Sequence, residues 1–552
     1  MQGLAAYIER TVPNAKERGF VVGHDHRYNS EIFARLTAGV FLTFGFKVYF
    51  YTTLVHTPMV PFAIKYLGLS GGVMVTASHN PKQDNGYKVY WENGCQIIPP
   101  HDINIAAEIK ARNNTTTTWS TTLVDTHLLS ITSQTELLKA AYISTITANL
   151  LTTPRDRLAA TTLRYIYTPM HGVGLAPVTC ALERFGLPNA IPVPSQAQPD
   201  PSFPTVVFPN PEEKGALDLA RSLADRLGVS LVLANDPDAD RFAVAEKNRH
   251  GEWFVFTGDQ IGSILAYAVV LRARAAANAT PLKVAMVNSA VSSKMLRSIC
   301  AAEGFRYAET LTGFKWMSNR VVEFKNEGYD TFFAYEEAIG FMTHECVLDK
   351  DGVTALASFV ELAILQHERG ATMFDLLEEL YATYGFHASD NYYFICHDPT
   401  IITKIFEQIR FGEKDSDGAV VDHTNFKRES DGVVFKYPLT VAGFPVTYIR
   451  DLTAGFEMLD IPAFIQKSGT GLVSLKRGEY EPTLPVSASS EMITFELANE
   501  CVFTLRTSGT EPKIKYYIEK RGSDRQTVHE HLKAVVKAVG SELFEAAKNN
   551  LQ

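Results

Sequence analysis

Apolar positions along the chain recur with the period of a helix or of a strand, and the two periods alternate. Four apolar residues form the first helical face: Leu4, Tyr7, Ile8 and Val12. A strand is predicted over residues 20–22, a helix over 33–44, and further strands over 47–51 and 73–76. Strands that alternate with helices are typical of a mostly parallel sheet. The first part of the chain is therefore predicted to be an α/β domain.

The same alternation returns twice. In the second unit, strands are predicted over residues 163–167 and 231–234, and a helix over 259–274 closes the unit. The third unit has strands over 283–287 and 331–334. One long helical stretch over 353–384 follows them. Both units are predicted to be α/β domains related to the first.

The last part of the chain changes character, because strands follow one another with few helices between them. The predicted strands cover residues 433–437, 446–449, 493–497, 502–505 and 514–518. An amphipathic helix over 528–547 ends the chain. This pattern indicates a separate α+β domain.

We therefore predict four domains, with boundaries at 1–155, 156–275, 276–400 and 401–552. Two further stretches are predicted to be surface loops. Residues 113–126 are rich in Thr and Asn and show no core face, and residues 413–431 are charged and irregular.

Composition excludes several classes of protein. The chain has 552 residues, of which 46% are apolar and 20% charged, as in ordinary globular proteins. Its net charge of −9 argues against nucleic acid or an anionic membrane as partner, since both require a basic surface. No apolar run approaches the ~20 residues of a membrane span. The six cysteines form no Cys-x-x-Cys pair, so we expect a reduced, cytoplasmic protein.

The first candidate for chemistry is the loop TASHNP at residues 76–81, which follows a short apolar strand. Its serine, Ser78, is placed at the end of a strand, where open α/β sheets keep their ligands. Taken alone, the loop is more typical of an ordinary turn, because Ser, Asn and Pro are common turn residues. Three further loops favour the functional interpretation.

The loop DPDADR at residues 236–241 follows the strand at 231–234. In an extended loop, Asp236, Asp238 and Asp240 can converge on one hard cation, and Mg²⁺ suits a phosphoryl-transfer site. A calcium loop of EF-hand type is excluded, because Arg241 stands where glycine is needed. A solvated acidic turn is the alternative, but three close carboxylates repel one another unless a cation offsets them. The sequence therefore favours a metal site.

Two more loops suit a sugar and a phosphate. Glu336 and Glu337 follow a buried strand, where unpaired charge is costly, and carboxylates pair well with sugar hydroxyls. Two exposed glutamates on a turn are the alternative. The loop RTSGT at residues 506–510 offers a guanidinium, three hydroxyls and a glycine whose backbone can form an anion nest. The alternative is that residues 506–510 form an ordinary polar hairpin loop.

With these loops together, the chain resembles members of the α-D-phosphohexomutase superfamily. Within it, the chain is similar to the eukaryotic phosphopentomutase/phosphoglucomutase branch, which is also linked to glucose-1,6-bisphosphate synthesis. The resemblance spans nearly the whole chain, with the motifs in the family order. It rests on TASHNP at 76–81, DPDADR at 236–241, TGFK at 312–315, EEAIG at 336–340 and RTSGT at 506–510.

The resemblance implies a fold of three related α/β domains with mixed, mostly parallel sheets and a C-terminal α+β, TATA-binding-protein-like domain around a central cleft. It implies that Ser78 carries a phosphate and shares one Mg²⁺ with the three aspartates. The implied catalytic residues are Ser78, His79, Lys88, Arg241 and Lys350. The implied sugar-binding residues are Thr312, Gly313, Lys315, Glu336 and Glu337. The implied phosphate-binding residues are Arg506, Thr507, Ser508, Gly509 and Thr510.

The implied activity is phosphomutase chemistry on sugar phosphates, with a phosphoserine, a bisphosphate intermediate and a sugar bisphosphate as activator. Hexose-specific members carry serine where this chain has Ala338, so we expect ribose and deoxyribose phosphates to be preferred over glucose phosphate. A glucose-1,6-bisphosphate synthase that uses an external phosphoryl donor is one alternative, and an impaired, non-catalytic paralogue is another. The oligomeric state is open, and a monomer is expected.

The family normally carries a Gly-Thr-(Ala/Ser)-Gly-Leu-Arg segment upstream of the phosphoserine loop, with the first strand of the first domain and an active-site arginine. This segment is not found in the sequence. We expect a truncated chain or a natural variant with an impaired site. Such a chain would be less stable and less active than a version extended upstream, because a missing strand leaves backbone groups unpaired.

Overall fold

The computed structural model of the chain describes residues 1–112, 119–276, 281–412, 423–468, 471–508 and 512–551. They form two compact units. Unit one comprises Met1–Ser292 and Ile299–Leu380, and unit two comprises Ser293–Ser298 and Tyr381–Gln552. Within the described ranges, every helix is too short or too polar to cross a membrane.

The first sheet of unit one has five strands. They are β1 (Phe20–His24), β2 (Val48–Phe50), β3 (Gly71–Val75), β4 (Tyr87–Trp91) and β5 (Ser130–Ile131). The order is β4-β3-β1-β2-β5, and β4 alone runs antiparallel to its neighbour. All five residues of β1 are buried, as expected for a central strand with both faces covered.

Eight helices accompany this sheet in the described part of the chain. They are α1 (Gln2–Thr11), α2 (Ala15–Arg18), α3 (Ser30–Thr43), α4 (Met59–Leu67), α5 (His101–Ala111), α6 (Leu123–Thr126), α7 (Thr135–Asn149) and α8 (Arg155–Ala159). The predicted apolar face of the first helix is confirmed, since Leu4, Tyr7 and Ile8 are buried in the core of this sheet. The prediction of a coreless loop over residues 113–126 is wrong where it can be checked. Residues 113–118 lie outside the described residues, but Val124 of α6 packs into the same core.

The second sheet repeats this plan. Its strands are β6 (Tyr165–Thr168), β7 (Ala190–Pro192), β8 (Leu231–Ala234), β9 (Ala243–Lys247) and β10 (Trp253–Val255), in the order β10-β9-β8-β6-β7. Strands β8, β6 and β7 are parallel, and β9 reverses the direction. The helices are α9 (Leu175–Phe185), α10 (Asp218–Leu227) and α11 (Gly258–Ala276), with a short 3₁₀ turn at Pro194–Gln196.

The third sheet has the order β12-β11-β13-β14. Its strands are β11 (Val284–Ser289), β12 (Arg306–Thr310), β13 (Thr331–Glu336) and β14 (Gly340–Met342), and only β14 is antiparallel to its neighbour. The associated helices are α12 (Met295–Glu303), α13 (Phe314–Asn326), α14 (Gly352–Glu368) and α15 (Met373–Tyr384). The single helix predicted over 353–384 is thus two helices. Gly370, with φ at +67°, lies in the break, and this left-handed conformation cannot continue a helix.

Unit two is α+β, as predicted. Its main sheet follows the order β15-β24-β23-β22-β19-β18, with β20 also paired to β19, and a small sheet has the order β17-β16-β21. The strands are β15 (Phe386–Ile395), β16 (Phe426–Arg428), β17 (Val434–Phe435), β18 (Thr440–Val441), β19 (Phe444–Asp451), β20 (Phe456–Met458), β21 (Val473–Leu475), β22 (Met492–Leu497), β23 (Cys501–Thr507) and β24 (Lys513–Gly522). The helices are α16 (Pro399–Phe411), α17 (Ile461–Ser468) and α18 (Arg525–Ala538), with a π turn at Val539–Leu543.

Two predictions for unit two need correction. The last helix ends at Ala538 and continues as the π turn, so it is shorter than the predicted 528–547. Residues 413–422 lie outside the described residues, but residues 426–428 of the predicted loop over 413–431 form β16. Phe426 of this strand is only 1% exposed, because it belongs to the core of unit two.

Candidate active site

Three loops of unit one share one position in their sheets, because each joins a parallel strand to the antiparallel strand beside it. They are residues 76–86 between β3 and β4, 235–242 between β8 and β9, and 337–339 between β13 and β14. Each contains a non-glycine residue with positive φ, namely Ser78 at 51°, Ala239 at 51° and Ile339 at 52°. Such conformations cost about 1 kcal/mol or more and cluster at functional sites. The sheets therefore present three equivalent, strained turns.

Backbone and side-chain bonds join the second of these turns to the segment between β2 and α4 and to the third sheet. Thr57 donates its N–H to the carbonyl of Asp238 at 3.0 Å and its hydroxyl to the Oδ2 of the same residue at 2.5 Å. Arg241 pairs with Gly340 in an antiparallel bridge, which links the second turn to the third sheet. The chemistry-bearing loops of the three sheets thus form one site inside unit one.

Ser78 lies directly against the acidic loop. Its hydroxyl donates to the Oδ2 of Asp236 at 2.8 Å, across 158 positions of sequence. Its backbone N–H donates to the hydroxyl of Thr76, which helps to hold the turn. The serine loop and the acidic loop are therefore in direct contact.

The three aspartates converge as a group of buried carboxylates. Asp236, Asp238 and Asp240 are each 0% exposed, and one oxygen from each lies within 4.8 Å of the others. The backbone N–H of Arg241 donates to Asp236 at 3.0 Å. Among the described residues, the Oδ1 atoms of Asp238 and Asp240 have no hydrogen-bond partner. Buried carboxylate oxygens without a donor are costly, and hard cations such as Mg²⁺ prefer carboxylate ligands, so the donor set fits such an ion.

Two lysines offset part of this negative charge. The Nζ of Lys88 lies 2.7 Å from Asp238 and 2.5 Å from Asp240. Burial alone would lower the pKa of Lys88, but these two carboxylates raise it above the usual lysine value. Burial and the charges of its two neighbours raise the pKa of Asp236 well above the usual aspartate value. Asp236 therefore takes up a proton more readily than an ordinary aspartate while no cation offsets the charge of its neighbours.

Lys350 connects the acidic loop to the third sheet. Its Nζ lies 3.3 Å from Asp240 and 4.0 Å from Glu336, and it also lies 5.5 Å from the ring centroid of Phe314. Phe314 belongs to the predicted sugar loop of Thr312, Gly313 and Lys315. Gly340 must be glycine, because a Cβ there would lie 2.2 Å from the Lys350 side chain. Lys350 thus brings the predicted sugar loop and the glutamate loop to the metal loop.

The two glutamates lie in different surroundings. Glu337 accepts hydrogen bonds from the hydroxyls of Ser289 at 3.0 Å and Ser292 at 3.1 Å. Glu336 faces Lys350 instead, and burial raises the pKa of both carboxyls. One glutamate is therefore held by hydroxyl donors and the other by an ammonium group.

His79 and Arg241 are both half-buried and lie near the trio. Burial lowers the pKa of His79 to about 3, so the imidazole is neutral at physiological pH. Its Nδ1 has no partner in the described part of the chain, and its ring lies 6.1 Å from that of Phe208. The pKa of Arg241 is raised, because nearby carboxylates, Asp236 first, outweigh the effect of burial. Neither residue donates a side-chain hydrogen bond to Ser78 in this structure.

Sequence reasoning missed Arg27, which is only 3% exposed and shapes the serine loop. Its guanidinium donates to the carbonyls of Ser78 at 2.5 Å, Asn80 at 2.7 Å and Pro81 at 2.9 Å. Asp25 lies 3.4 Å from the Nε of Arg27 and supports it. The position of Arg27 could have been predicted, because residues 25–30 follow β1 at the carboxyl end of the sheet, where the serine loop also lies.

The predicted phosphate loop belongs to unit two. Arg506 and Thr507 end β23, and the N–H of Ser508 donates to the carbonyl of Lys513 at 3.0 Å. Gly509 and Thr510 lie outside the described residues. The role of this loop stays a prediction.

Comparison with known proteins decides the family. Models of "Phosphoglucomutase/phosphomannomutase, alpha/beta/alpha domain" I, II and III match residues 1–116, 140–251 and 257–384. The chain belongs to this family. The Schizosaccharomyces pombe "Probable phosphoribomutase" is 43% identical over 554 residues, covering 100% of the chain and 87% of the relative. The mouse "Glucose 1,6-bisphosphate synthase" is 39% identical over 563 residues, and the alignment covers 100% of this chain and 84% of that relative.

A solved structure extends the likeness to unit two. The open form of the Paramecium exocytosis-sensitive phosphoprotein parafusin, titled a phosphoglucomutase, has a TM-score of 0.63 and 17% identity. The alignment covers 99% of this chain and 92% of that protein. At this identity the likeness shows the fold. As a member of the phosphoglucomutase/phosphomannomutase family, the chain is a phosphomutase, an enzyme of the isomerase class.

Proposed function

We propose that the protein interconverts ribose or deoxyribose 1-phosphate and 5-phosphate, with glucose phosphates as secondary substrates. The observation that carries the proposal is the position of the Ser78 hydroxyl, 2.8 Å from a buried carboxylate trio to which Lys88 is also bonded. The name of the S. pombe relative, a probable phosphoribomutase, supports the pentose assignment. Ala338 supports it as well, because it lacks a hydroxyl that could bond a hexose.

Asp236, Asp238 and Asp240, together with a phosphoryl group on Ser78, would hold one Mg²⁺ ion. When bound, this ion supplies positive charge that stabilises the transferring phosphoryl group. The phosphoryl group on Ser78 passes to the free hydroxyl of the sugar monophosphate, which gives a bisphosphate and leaves the Ser78 hydroxyl free. After the bisphosphate has turned round, its other phosphoryl group returns to the Ser78 oxygen, and the product monophosphate is released. A sugar bisphosphate is the expected activator, because it can place the first phosphate on Ser78.

The chain's own residues supply the remaining electrostatics. Lys88 and Lys350 place two positive charges at the acidic loop, where charge develops on the equatorial oxygens during transfer. The neutral imidazole of His79, beside Ser78, can bond to a phosphoryl oxygen or exchange a proton with the reacting hydroxyl. Arg241 supports the loop from the side of the third sheet.

Binding of the substrate is assigned to two sets of residues, one for the sugar and one for the phosphate. Glu336 and Glu337, with Thr312, Gly313 and Lys315, would hold the sugar hydroxyls in either orientation, since hydroxyls present similar donors and acceptors both ways round. Arg506, Thr507 and Ser508, with Gly509 and Thr510, would hold the phosphate that is not reacting. We place the enzyme in the cytoplasm as a monomer, and the presence of six free cysteines supports a reducing compartment.

The substrate assignment is tested by comparing turnover of ribose 1-phosphate and glucose 1-phosphate, with and without glucose 1,6-bisphosphate. We expect kcat/KM to be higher for ribose 1-phosphate than for glucose 1-phosphate. Ala338→Ser adds one hydroxyl, worth about 1 kcal/mol if it bonds the sugar, so it should shift the ratio about fivefold toward glucose. Ala148→Ser, on the exposed end of α7, is the control and should leave the ratio unchanged.

A higher kcat/KM for glucose 1-phosphate in the unaltered enzyme would contradict the pentose assignment. The similarity to the mouse glucose 1,6-bisphosphate synthase makes a transferase the second candidate. Net formation of bisphosphate from glucose 1-phosphate and an external phosphoryl donor, faster than isomerisation, would favour that candidate.

The structure also predicts a large effect of Arg27→Lys. Lysine keeps the charge, but a single ammonium cannot reproduce the planar fork that reaches three carbonyls of the serine loop. We expect kcat to fall on the order of 100-fold, because a displacement of about 1 Å at the nucleophile has effects of this size. The control is Arg35→Lys, on the partly exposed surface of α3, where the ion pairs tolerate either cation. Full activity of Arg27→Lys would show that the loop does not need this support.

A further inference from the structure

A cavity of about 850 Å³ lies within unit one, between α7 and α9. Its walls are completed by residues 53–56, which follow β2, and by residues 197–199. Its described lining includes neither Ser78 nor any residue of the acidic loop. Pockets of 300–1,000 Å³ are typical of small-molecule sites, so this volume is large enough for a ring compound.

The lining favours an uncharged occupant. Apolar side chains form much of the wall, among them Leu54, Val55, Met59, Ile143, Val173 and Leu175. The ammonium of Lys139 is already bonded, at 3.0 Å to Glu136 and at 2.6 Å to the hydroxyl of Thr53. An anion would have to compete with Glu136 for this ammonium and would also meet the carboxylate of Glu183. A charged ligand without its own partner would be costly here.

One polar group in the wall requires a partner. His56 is 3% exposed, and its Nε2 has no hydrogen-bond partner among the described residues. Burial, with the nearby charge of Lys139, lowers the pKa of His56 to about 3, so the ring is neutral. A neutral imidazole can donate to, or accept from, a single hydroxyl or carbonyl group.

Three walls of the cavity bond directly to the catalytic loops. Beside His56, Thr57 donates both its N–H and its hydroxyl to Asp238. In a second part of the wall, the N–H of Val173 donates to the carbonyl of Pro237 at 2.8 Å. The hydroxyl of Tyr142 donates to Asp351, the residue after Lys350, at 2.8 Å. An occupant that shifts these walls therefore shifts the groups around Ser78.

We propose that this cavity is an effector site for an uncharged, largely apolar ring compound that carries one hydroxyl or carbonyl group. Occupation of the site changes turnover through the bonds to Asp238, Pro237 and Asp351. The ligand does not compete with the sugar phosphate, because the two bind in different places.

The test uses 2-naphthol as the probe, which has an apolar double ring and one hydroxyl. We expect saturable binding to the full-length enzyme and a change in kcat of about fivefold, with little change in KM for the sugar phosphate. Ala140→Trp on α7 fills the cavity and should abolish binding. Ala148→Trp, two turns further along the same helix and outside the lining, is the matched control and should bind as the unaltered enzyme does.

A covalent probe gives an independent measurement. Cys180 lines the cavity and is exposed, whereas Cys95, Cys300, Cys396 and Cys501 are buried and Cys346 is partly buried. N-phenylmaleimide should therefore add to Cys180 first, as mass spectrometry can verify, and should change kcat in the same direction as 2-naphthol. Cys180→Ser should be insensitive to the reagent.

Several results would overturn the proposal. They are the absence of saturable binding, binding that persists in Ala140→Trp, and occupation of the cavity that leaves kcat unchanged. A rise in KM alone would place the probe in the sugar site and would also overturn it. Because binding is measured without substrate, these outcomes remain distinguishable from a failure of the proposed sugar assignment.

Discussion

Replacing Ser78 by alanine is expected to abolish phosphoryl transfer, with kcat reduced roughly 10⁴-fold or more. The Ser78 oxygen is the atom proposed to form the bond to phosphorus, and alanine offers no substitute. The loss is chemical and not structural. The φ of 51° at this position suits alanine no worse than serine, and among the described residues the side chain makes one hydrogen bond, to Asp236. Removing such a bond to a charged group lowers the free energy of unfolding by about 1.5–3 kcal/mol, far less than the expected effect on turnover.

The measurement is turnover of ribose 1-phosphate, together with transfer of labelled phosphate from glucose 1,6-bisphosphate to the protein. The unaltered enzyme should become labelled on Ser78, and Ser78→Ala should stay unlabelled. Ser133→Ala is the control, because Ser133 is an exposed serine in the loop before α7. If Ser78→Ala retained more than a few per cent of the activity, another group would have to carry the phosphate. The whole assignment would then fail.

The second large effect is expected for Asp238→Asn. The Oδ2 of Asp238 accepts from both Thr57 and Lys88, while its Oδ1 is one of the two oxygens available to a cation. Asparagine removes one negative charge from the trio. It also replaces one carboxylate oxygen with an NH₂ group, which cannot accept hydrogen bonds from Thr57 or Lys88. We expect kcat to fall on the order of 10³-fold at saturating Mg²⁺. The Mg²⁺ concentration for half-maximal activity should rise roughly 10- to 100-fold.

This prediction has a readout that does not depend on turnover. Mg²⁺ should raise the melting temperature of the unaltered enzyme by binding the folded state, and it should raise that of Asp238→Asn much less. The control is Asp225→Asn, which alters an exposed ion pair with Lys247 at the end of α10. Equal stabilisation of Asp238→Asn and the unaltered enzyme by Mg²⁺ would exclude Asp238 as a ligand. Removal of metal with EDTA should abolish the activity of the unaltered enzyme, and addition of MgCl₂ should restore it.

Much of the architecture was readable from local pattern. Buried strands such as β8 appear in the sequence as short apolar runs bounded by polar turns, and their lengths and positions were predicted closely. Boundaries were less accurate where two helices follow each other closely. The polar run at 366–369 and Gly370 separate α14 from α15, but only a few residues lie between the two apolar helices, and the prediction treated them as one.

The candidate site was predicted in part for a similar reason. Ser78 and Asp236 each follow an apolar strand, and the ends of parallel strands are where ligands bind, so both loops were identifiable. Arg27 was missed because its function is to bond three backbone carbonyls in another loop, 51 to 54 positions away. Backbone carbonyls carry no sequence signature. The cavity lined by His56 was equally invisible, since its walls come from four separate segments.

The sequence by itself determined the order of the elements, the apolar faces of the helices and which loops carry carboxylates, lysines and the serine. These properties depend on periodicity and side-chain chemistry within a few neighbouring residues. Only the tertiary structure decided that Ser78 meets Asp236, that Lys88 lies between Asp238 and Asp240, and that three turns adopt left-handed conformations at non-glycine residues. Such features depend on contacts between residues far apart in the chain, whose packing stabilises positions and backbone angles that no local preference would select.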